Sequence, residues 1–189
     1  MAKLVSKTYG EALYEAVVET APGEAGEAKA LALMEEIQQV QEILKQNLQF
    51  DELMKHPGIP KQEKLQVAES VFKGRVSDEL AGLFEVVISK ERYGDLPAIF
   101  EYFIDRVKAQ QKIGVAYVTT AVALTAGQRE AVEARLLNTS GYRKMEMHFG
   151  VDASLIGGMV IRINDRVVDS SIRTKLDGLT KQLLQIQLG

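Results

Sequence analysis

Along the first 111 residues the apolar positions recur at intervals of three and four, the spacing of a helix with one buried face. No alternating run interrupts them. The pattern predicts a first helix over residues 3–20, closed by Pro22-Gly23, and a second over 27–46 with Leu31, Met34, Ile37, Gln41 and Leu44 along one stripe. A short helical piece over 50–55 ends at Pro57-Gly58-Ile59-Pro60, and another helix spans 61–72 before Gly74. Ser77, followed by Asp78 and Glu79, is placed to cap a fifth helix running to about residue 90, because carboxylates favour the positive end of the helix dipole. A sixth starts near Pro97 and carries Phe103 and Val107. Six helices with short connections predict a helical bundle over residues 1–110.

From residue 111 to 189 the period changes. Residues 113–122 alternate, with Ile113, Val115 and Tyr117 on one face. Thr125 and Gln128 have the spacing of a capping box, predicting a helix to about Asn138, and Ser140-Gly141 turns the chain. Met145, Met147 and Phe149 alternate with Lys144, Glu146 and His148 in a second strand; residues 157–163 form a third. Asn164-Asp165 turns it into Val167-Val168, and Ser170 or Ser171 caps a last helix with Ile172, Leu176, Leu179, Leu183 and Ile186 along one seam. The expectation is a small α+β domain with a short sheet and two helices.

Two helices have more apolar surface than one buried stripe needs. In the first, Val5, Tyr9, Ala12, Leu13, Ala16 and Val17 make one face, while Gly10, Tyr14 and Val18 line another. In the fifth, Leu80, Leu83, Phe84, Val87 and Ile88 form a core stripe that Gly82 and Val86 extend round the side. Either both helices are central in the bundle, or a groove between them accepts an amphipathic helix from a partner.

Composition narrows the chemistry. Hydrophobic residues are 46% and charged residues 26%, ordinary for a folded globular chain. A net charge of -3 opposes nucleic-acid binding, which rests on cations neutralising phosphate. The absence of cysteine removes disulfides and thiolate metal sites, and two histidines are too few for a histidine-rich one. No run is long and apolar enough to span a bilayer, and the first residues lack a secretory h-region. There is no P-loop. A nucleophilic triad would have to recruit His56, in a turn, or His148, on the outward side of a strand, and a structural or solvent role is expected for both. Glu35-Glu36 and Asp51-Glu52 read as solvated pairs; Arg162, Arg166 and Arg173 cluster near the hairpin, where they either bind an anion or carboxylate or, as is expected, form surface ion pairs. With Val160 three positions after Gly157, the run lacks the Gly-x-x-Gly of an RNA-binding KH loop. No cofactor is expected.

The run Asp152-Ala153-Ser154-Leu155-Ile156-Gly157-Gly158-Met159-Val160-Ile161-Arg162-Ile163-Asn164-Asp165-Arg166-Val167-Val168-Asp169-Ser170-Ser171-Ile172-Arg173-Thr174-Lys175-Leu176 resembles the carboxyl-terminal signature of the delta subunit of F-type ATP synthases, the oligomycin-sensitivity-conferring family. Tyr9-Gly10-Glu11-Ala12-Leu13-Tyr14 is similar to that family's first helix, and Lys90-Glu91-Arg92-Tyr93 with Leu96-Pro97 to the junction after its fifth. The resemblance implies a non-catalytic stator connector, present in one copy in a proton- or sodium-translocating complex. Its first domain would bind amino-terminal helices of alpha subunits and its second the b subunit of the peripheral stalk, so that the catalytic hexamer resists rotor torque. The implied location is the cytoplasmic face of a bacterial plasma membrane, without insertion of this chain. Tyr9, Ala12 and Val86 match the family's alpha-binding positions; spacing alone adds Gly10, Tyr14 and Gly82. The Ile-Gly-Gly signature itself is expected to build the fold, and stalk contact is expected at Leu184 and Leu188, off the main seam of the last helix.

Overall fold

The computed structural model describes residues 2–20, 23–164 and 166–187, with side chains from residue 4 to residue 180. These residues form eight α-helices and one four-stranded sheet, a mixed α/β protein. Two compact units divide the chain, the first ending at Lys108 and the second starting at Ala109. The division falls inside the last turn of a helix that continues to Gln110, because Val107 is its last residue buried in the first core.

The first unit contains α1 (Ala2–Thr20), α2 (Glu24–Gln46), α3 (Leu48–Lys55), α4 (Lys61–Phe72), α5 (Asp78–Ser89) and α6 (Leu96–Gln110). α2 begins three residues earlier than its apolar stripe suggests. Gly23 takes a positive φ of 81° and its carbonyl accepts from the amides of Gly26 and Glu27 at 3.1 and 3.2 Å, which starts the helix there. Ser77 precedes α5 with an extended backbone, but its hydroxyl makes no capping bond; the Glu36 carboxylate instead accepts from the Ser77 amide at 2.7 Å. The core runs through Val17, Ile37, Leu80, Phe84, Leu96, Ile99, Phe100 and Phe103, all buried. Phe84 stacks on Phe72 with ring centres 4.1 Å apart and meets Phe100 edge-on at 6.1 Å. Each such ring contributes about 1.5–3 kcal/mol through burial, and the pairs add geometric preference.

The second unit orders its strands β2-β1-β3-β4, where β1 is Ile113–Thr120, β2 Lys144–Val151, β3 Met159–Ile163 and β4 Arg166–Asp169. β1 and β2 are parallel, so the chain between them must cross over, and it does so through α7 (Ala126–Ser140). The other two pairings are antiparallel. Thr125 and Gln128 close the capping box of α7, and Gly141 ends it in the left-handed conformation. β1 stops at Thr120 and not at residue 122, because the Thr120 hydroxyl donates to the Val122 carbonyl at 2.7 Å and turns the chain. Its buried side carries Gly114, Ala116, Val118 and Thr120; the face with Ile113, Val115 and Tyr117 is the more open one. In register with Ala116 and Val118 stand Met147 and Phe149 on β2 and Ile163 and Ile161 on β3. α8 (Ile172–Gln187) completes the unit.

Candidate partner-binding faces

α1 and α5 pack side by side in the first unit. Lys29 of α2 pairs with Glu79 at the start of α5 and donates to the Thr20 hydroxyl at the end of α1, at 3.2 Å. On the outside of this pair Ala12 and Ala16 are exposed, Tyr9 is half-buried against the core, and Val86 keeps 44% of its surface in solvent. An exposed valine on a helix whose other large apolar residues are buried is an apolar face without a cover.

Gly10 and Tyr14 do not belong to that face. Both turn inward, toward α6. A Cβ built on Gly10 would lie 2.5 Å from Tyr102 Cδ1, so glycine is what lets α1 and α6 approach. Tyr14 is buried, 6.4 Å from the Phe103 ring centre, and the Arg106 guanidinium lies over it at 4.8 Å. Glu11 locks the same contact by accepting from the Tyr102 hydroxyl at 2.8 Å and from Arg106 Nε at 3.0 Å. The Tyr102 bond, and then Arg106, hold the Glu11 carboxyl below its ordinary range. Spacing at four-residue intervals identified a second apolar side of α1; that α6 covers it is a tertiary fact.

Gly82 is different again. Its backbone is helical and a Cβ there would meet nothing within 4 Å. It opens on a depression of about 540 Å³ between α4 and α5, lined by Leu65, Ala68, Phe72, Asp78 and Glu85 among others.

In the second unit the seam of α8 faces solvent over its described part. Ile172, Leu176 and Leu179 are 42%, 48% and 56% exposed. By periodicity this seam is the packed side of the helix, with stalk contact expected off it at Leu184 and Leu188. The Leu184 side chain and all of Leu188 lie outside the described residues. Val167 and Val168 on the edge strand β4, and Ile156 before Gly157, are also exposed; the sequence assigns them to a strand and to the fold-building signature, not to a contact surface. Two consecutive valines on a four-residue edge strand were the available signal, since both faces of such a strand cannot be covered by one helix.

The signature residues build this unit. Gly158 has φ 77°, and a Cβ on it would sit 2.5 Å from the Ser170 carbonyl oxygen; one on Gly157 would sit 2.6 Å from Ile172 Cδ1. Ser171, buried, is the cap: its hydroxyl accepts from the Thr174 amide at 3.2 Å. Asp169 accepts from the Ser171 amide at 2.8 Å and from the Thr174 hydroxyl at 2.7 Å.

His56 Nδ1 accepts from the Gly58 amide at 3.1 Å within its turn, and His148 stacks on Tyr117 across the sheet at 4.8 Å. Arg162 donates to the Asn164 carbonyl and Arg173 to the Ser154 hydroxyl. No group of acidic residues and histidines among the described residues could hold a metal ion, and no described helix is long and apolar enough to cross a membrane.

Comparison with known proteins points one way. A family model described as ATP synthase delta (OSCP) subunit matches residues 5–183. A protein named ATP synthase subunit delta from Lachnoclostridium phytofermentans is 45% identical over 190 aligned positions, covering all of both chains. One of the same name from Desulforamulus reducens is 31% identical and covers 95% of each. Among solved structures, a chain in the mitochondrial ATP synthase hexamer of Toxoplasma gondii superposes with a TM-score of 0.67 over 95% of this chain and 97% of its own, at 19% identity, which speaks for the fold.

Proposed function

Because the chain belongs to the ATP synthase delta (OSCP) subunit family, a structural and non-catalytic subunit of that membrane-associated complex, we propose that it is the stator connector of an F-type synthase. Its first unit, a six-helix bundle, binds amino-terminal helices of alpha subunits. Its second binds the distal end of the b-subunit stalk. One copy joins the two, so that torque from the rotor does not carry the catalytic hexamer round. Its place is the cytoplasmic face of a plasma membrane, the location that the relatives from Lachnoclostridium phytofermentans and Desulforamulus reducens favour.

The observation that carries this reading is that among the described residues each unit has an apolar helix face exposed to solvent: Ala12 and Val86 on α1 and α5, and Ile172, Leu176 and Leu179 on α8. A connector needs two such faces, and because both partners belong to one assembly, each contact raises the effective concentration of the other. Tyr9 and Gly82 border the alpha-binding face; Gly10 and Tyr14 support it from within. On α8 the exposed seam is the better-supported stalk contact than Leu184 or Leu188.

Affinity purification of the tagged full chain from native membranes tests the proposal. The wild type recovers alpha and b subunits. Val86→Asp loses alpha and keeps b, while Leu176→Asp with Leu179→Asp loses b and keeps alpha, each with unchanged helical circular dichroism. A folded wild type that recovers neither subunit refutes the connector, and variants that leave both recoveries intact refute these faces.

A further inference from the structure

Residues 8–20 of α1 and 78–89 of α5 contain Glu11, Glu15, Glu19, Asp78, Glu79 and Glu85 but no lysine or arginine. Glu11 is taken by Arg106 and Tyr102, and Glu79 by Lys29. Glu15, Glu19, Asp78 and Glu85 are exposed and make no ion pair with a described residue. By helical position, Glu15 and Glu19 border Ala12 and Ala16 on the outer side of α1, while Asp78 and Glu85 border Gly82 on the outer side of α5. The exposed apolar strip therefore runs between two rows of carboxylates without an ion-pair partner, Lys73 in the depression beyond Asp78 and Glu85 being taken by Glu69.

Gly82 adds an independent observation. Glycine inside a helix costs stability, and elsewhere in this unit that cost has a visible internal reason, as at Gly10 against Tyr102. At Gly82 there is neither a positive φ nor an internal neighbour. What a missing side chain on an outer helix face permits is the close approach of another backbone from outside.

We propose that the α1–α5 face is built for an amphipathic helix that presents a narrow apolar stripe over Gly82 and Val86, with lysine or arginine on both flanks. This rests on the reading of that face as the alpha-binding site and specifies the chemistry it selects. The carboxylate rows attract such a helix during encounter and penalise an acidic one, which would bring like charges together. The contact is thus apolar in its centre and salt-sensitive at its rim.

The test uses the full chain and three labelled peptides, read by fluorescence anisotropy. Two are synthetic helices of about 20 residues with one apolar stripe, flanked by lysines in the first and by glutamates in the second. The third is the amino-terminal segment of the alpha subunit encoded in the same genome. The lysine-flanked helix binds at least about tenfold tighter than its glutamate twin, and weakens about tenfold between roughly 50 and 300 mM salt. Combining Glu15→Gln, Glu19→Gln, Asp78→Asn and Glu85→Gln removes both differences, and Gly82→Leu, whose Cβ meets no atom within 4 Å and whose fold is checked by circular dichroism, blocks binding. Equal affinity for the two synthetic helices, or affinity indifferent to salt and to the four neutralised positions, overturns the proposal. An alpha segment that fails to bind at any salt overturns the underlying reading instead; one that binds with no salt dependence leaves that reading standing and removes the charge selection.

Discussion

Gly10 and Gly82 lie inside two neighbouring helices, one turned toward α6 and the other outward, and the same substitution should act on them with opposite sign. Alanine is worth about 1 kcal/mol over glycine in a helix interior, and at Gly82 nothing opposes that gain, since the new Cβ meets no atom within 4 Å. Gly82→Ala should stabilise by about 0.5–1 kcal/mol. At Gly10 the new Cβ falls 2.5 Å from Tyr102 Cδ1 and 3.2 Å from its Cβ and Cγ. An ordinary contact needs more than 1 Å of further separation, so either α1 and α6 move apart or the Tyr102 ring rotates. Rotation gives up the bond to Glu11 at 2.8 Å. Overpacking of this kind costs about 1–3 kcal/mol, and the strained bond to a charged acceptor adds to it. After the helix gain is subtracted, Gly10→Ala should destabilise by about 1–2 kcal/mol. Urea unfolding followed by helical circular dichroism measures both, and each kcal/mol moves the thermal midpoint of a unit this size by roughly 4–8 °C. A Gly10→Ala protein as stable as wild type, or more so, would refute the inward placement of Gly10 and return it to the partner face.

Three further outcomes follow from the same packing. Glu11 has its carboxyl held below 4.5 by Tyr102 and then by Arg106. A depressed carboxylate contributes stability that is complete above that value and disappears as pH falls through its folded pKa. Unfolding curves of wild type and Glu11→Gln should therefore differ at neutral pH and converge below about 4.5; a gap that widens in acid contradicts the assignment. In the second unit Gly158→Ala puts a side chain on a φ of 77° and against the Ser170 carbonyl, at about 2 kcal/mol or more, while Ser171→Ala removes a cap worth about 1 kcal/mol. Hydrogen exchange across α8 should quicken in both, more in the first, and unchanged protection would count against the signature as a fold-builder. Phe84→Ala, which empties the centre of the aromatic stack between Phe72 and Phe100, should cost about 3–5 kcal/mol, read as a large fall in the urea midpoint.

What the sequence determined by itself is what depends on near neighbours along the chain. The α5 core stripe of Leu80, Leu83, Phe84, Val87 and Ile88 is buried as its spacing predicts, and the Thr125–Gln128 capping box closes as read. The special role of Gly157-Gly158 and a cap at Ser170 or Ser171 were also legible, because the positive φ at Gly158 and a hydroxyl three residues before an amide are local chemistry, while the choice of Ser171 came from the structure. What only the tertiary structure decided is which of two apolar sides is covered. α1 has apolar residues on more than one side, and the position of α6 turns Gly10 and Tyr14 into core while leaving Ala12 open. β1 carries apolar residues on both faces, and the strands beside it bring Met145, Met147, Phe149 and Ile161 to the face of Ala116 and Val118. The α8 seam looks like a core stripe, yet Ile172, Leu176 and Leu179 stand in solvent. Periodicity records that a face is apolar; whether this chain or another one covers it is a matter of long-range packing, to which an alternation of residue types is blind.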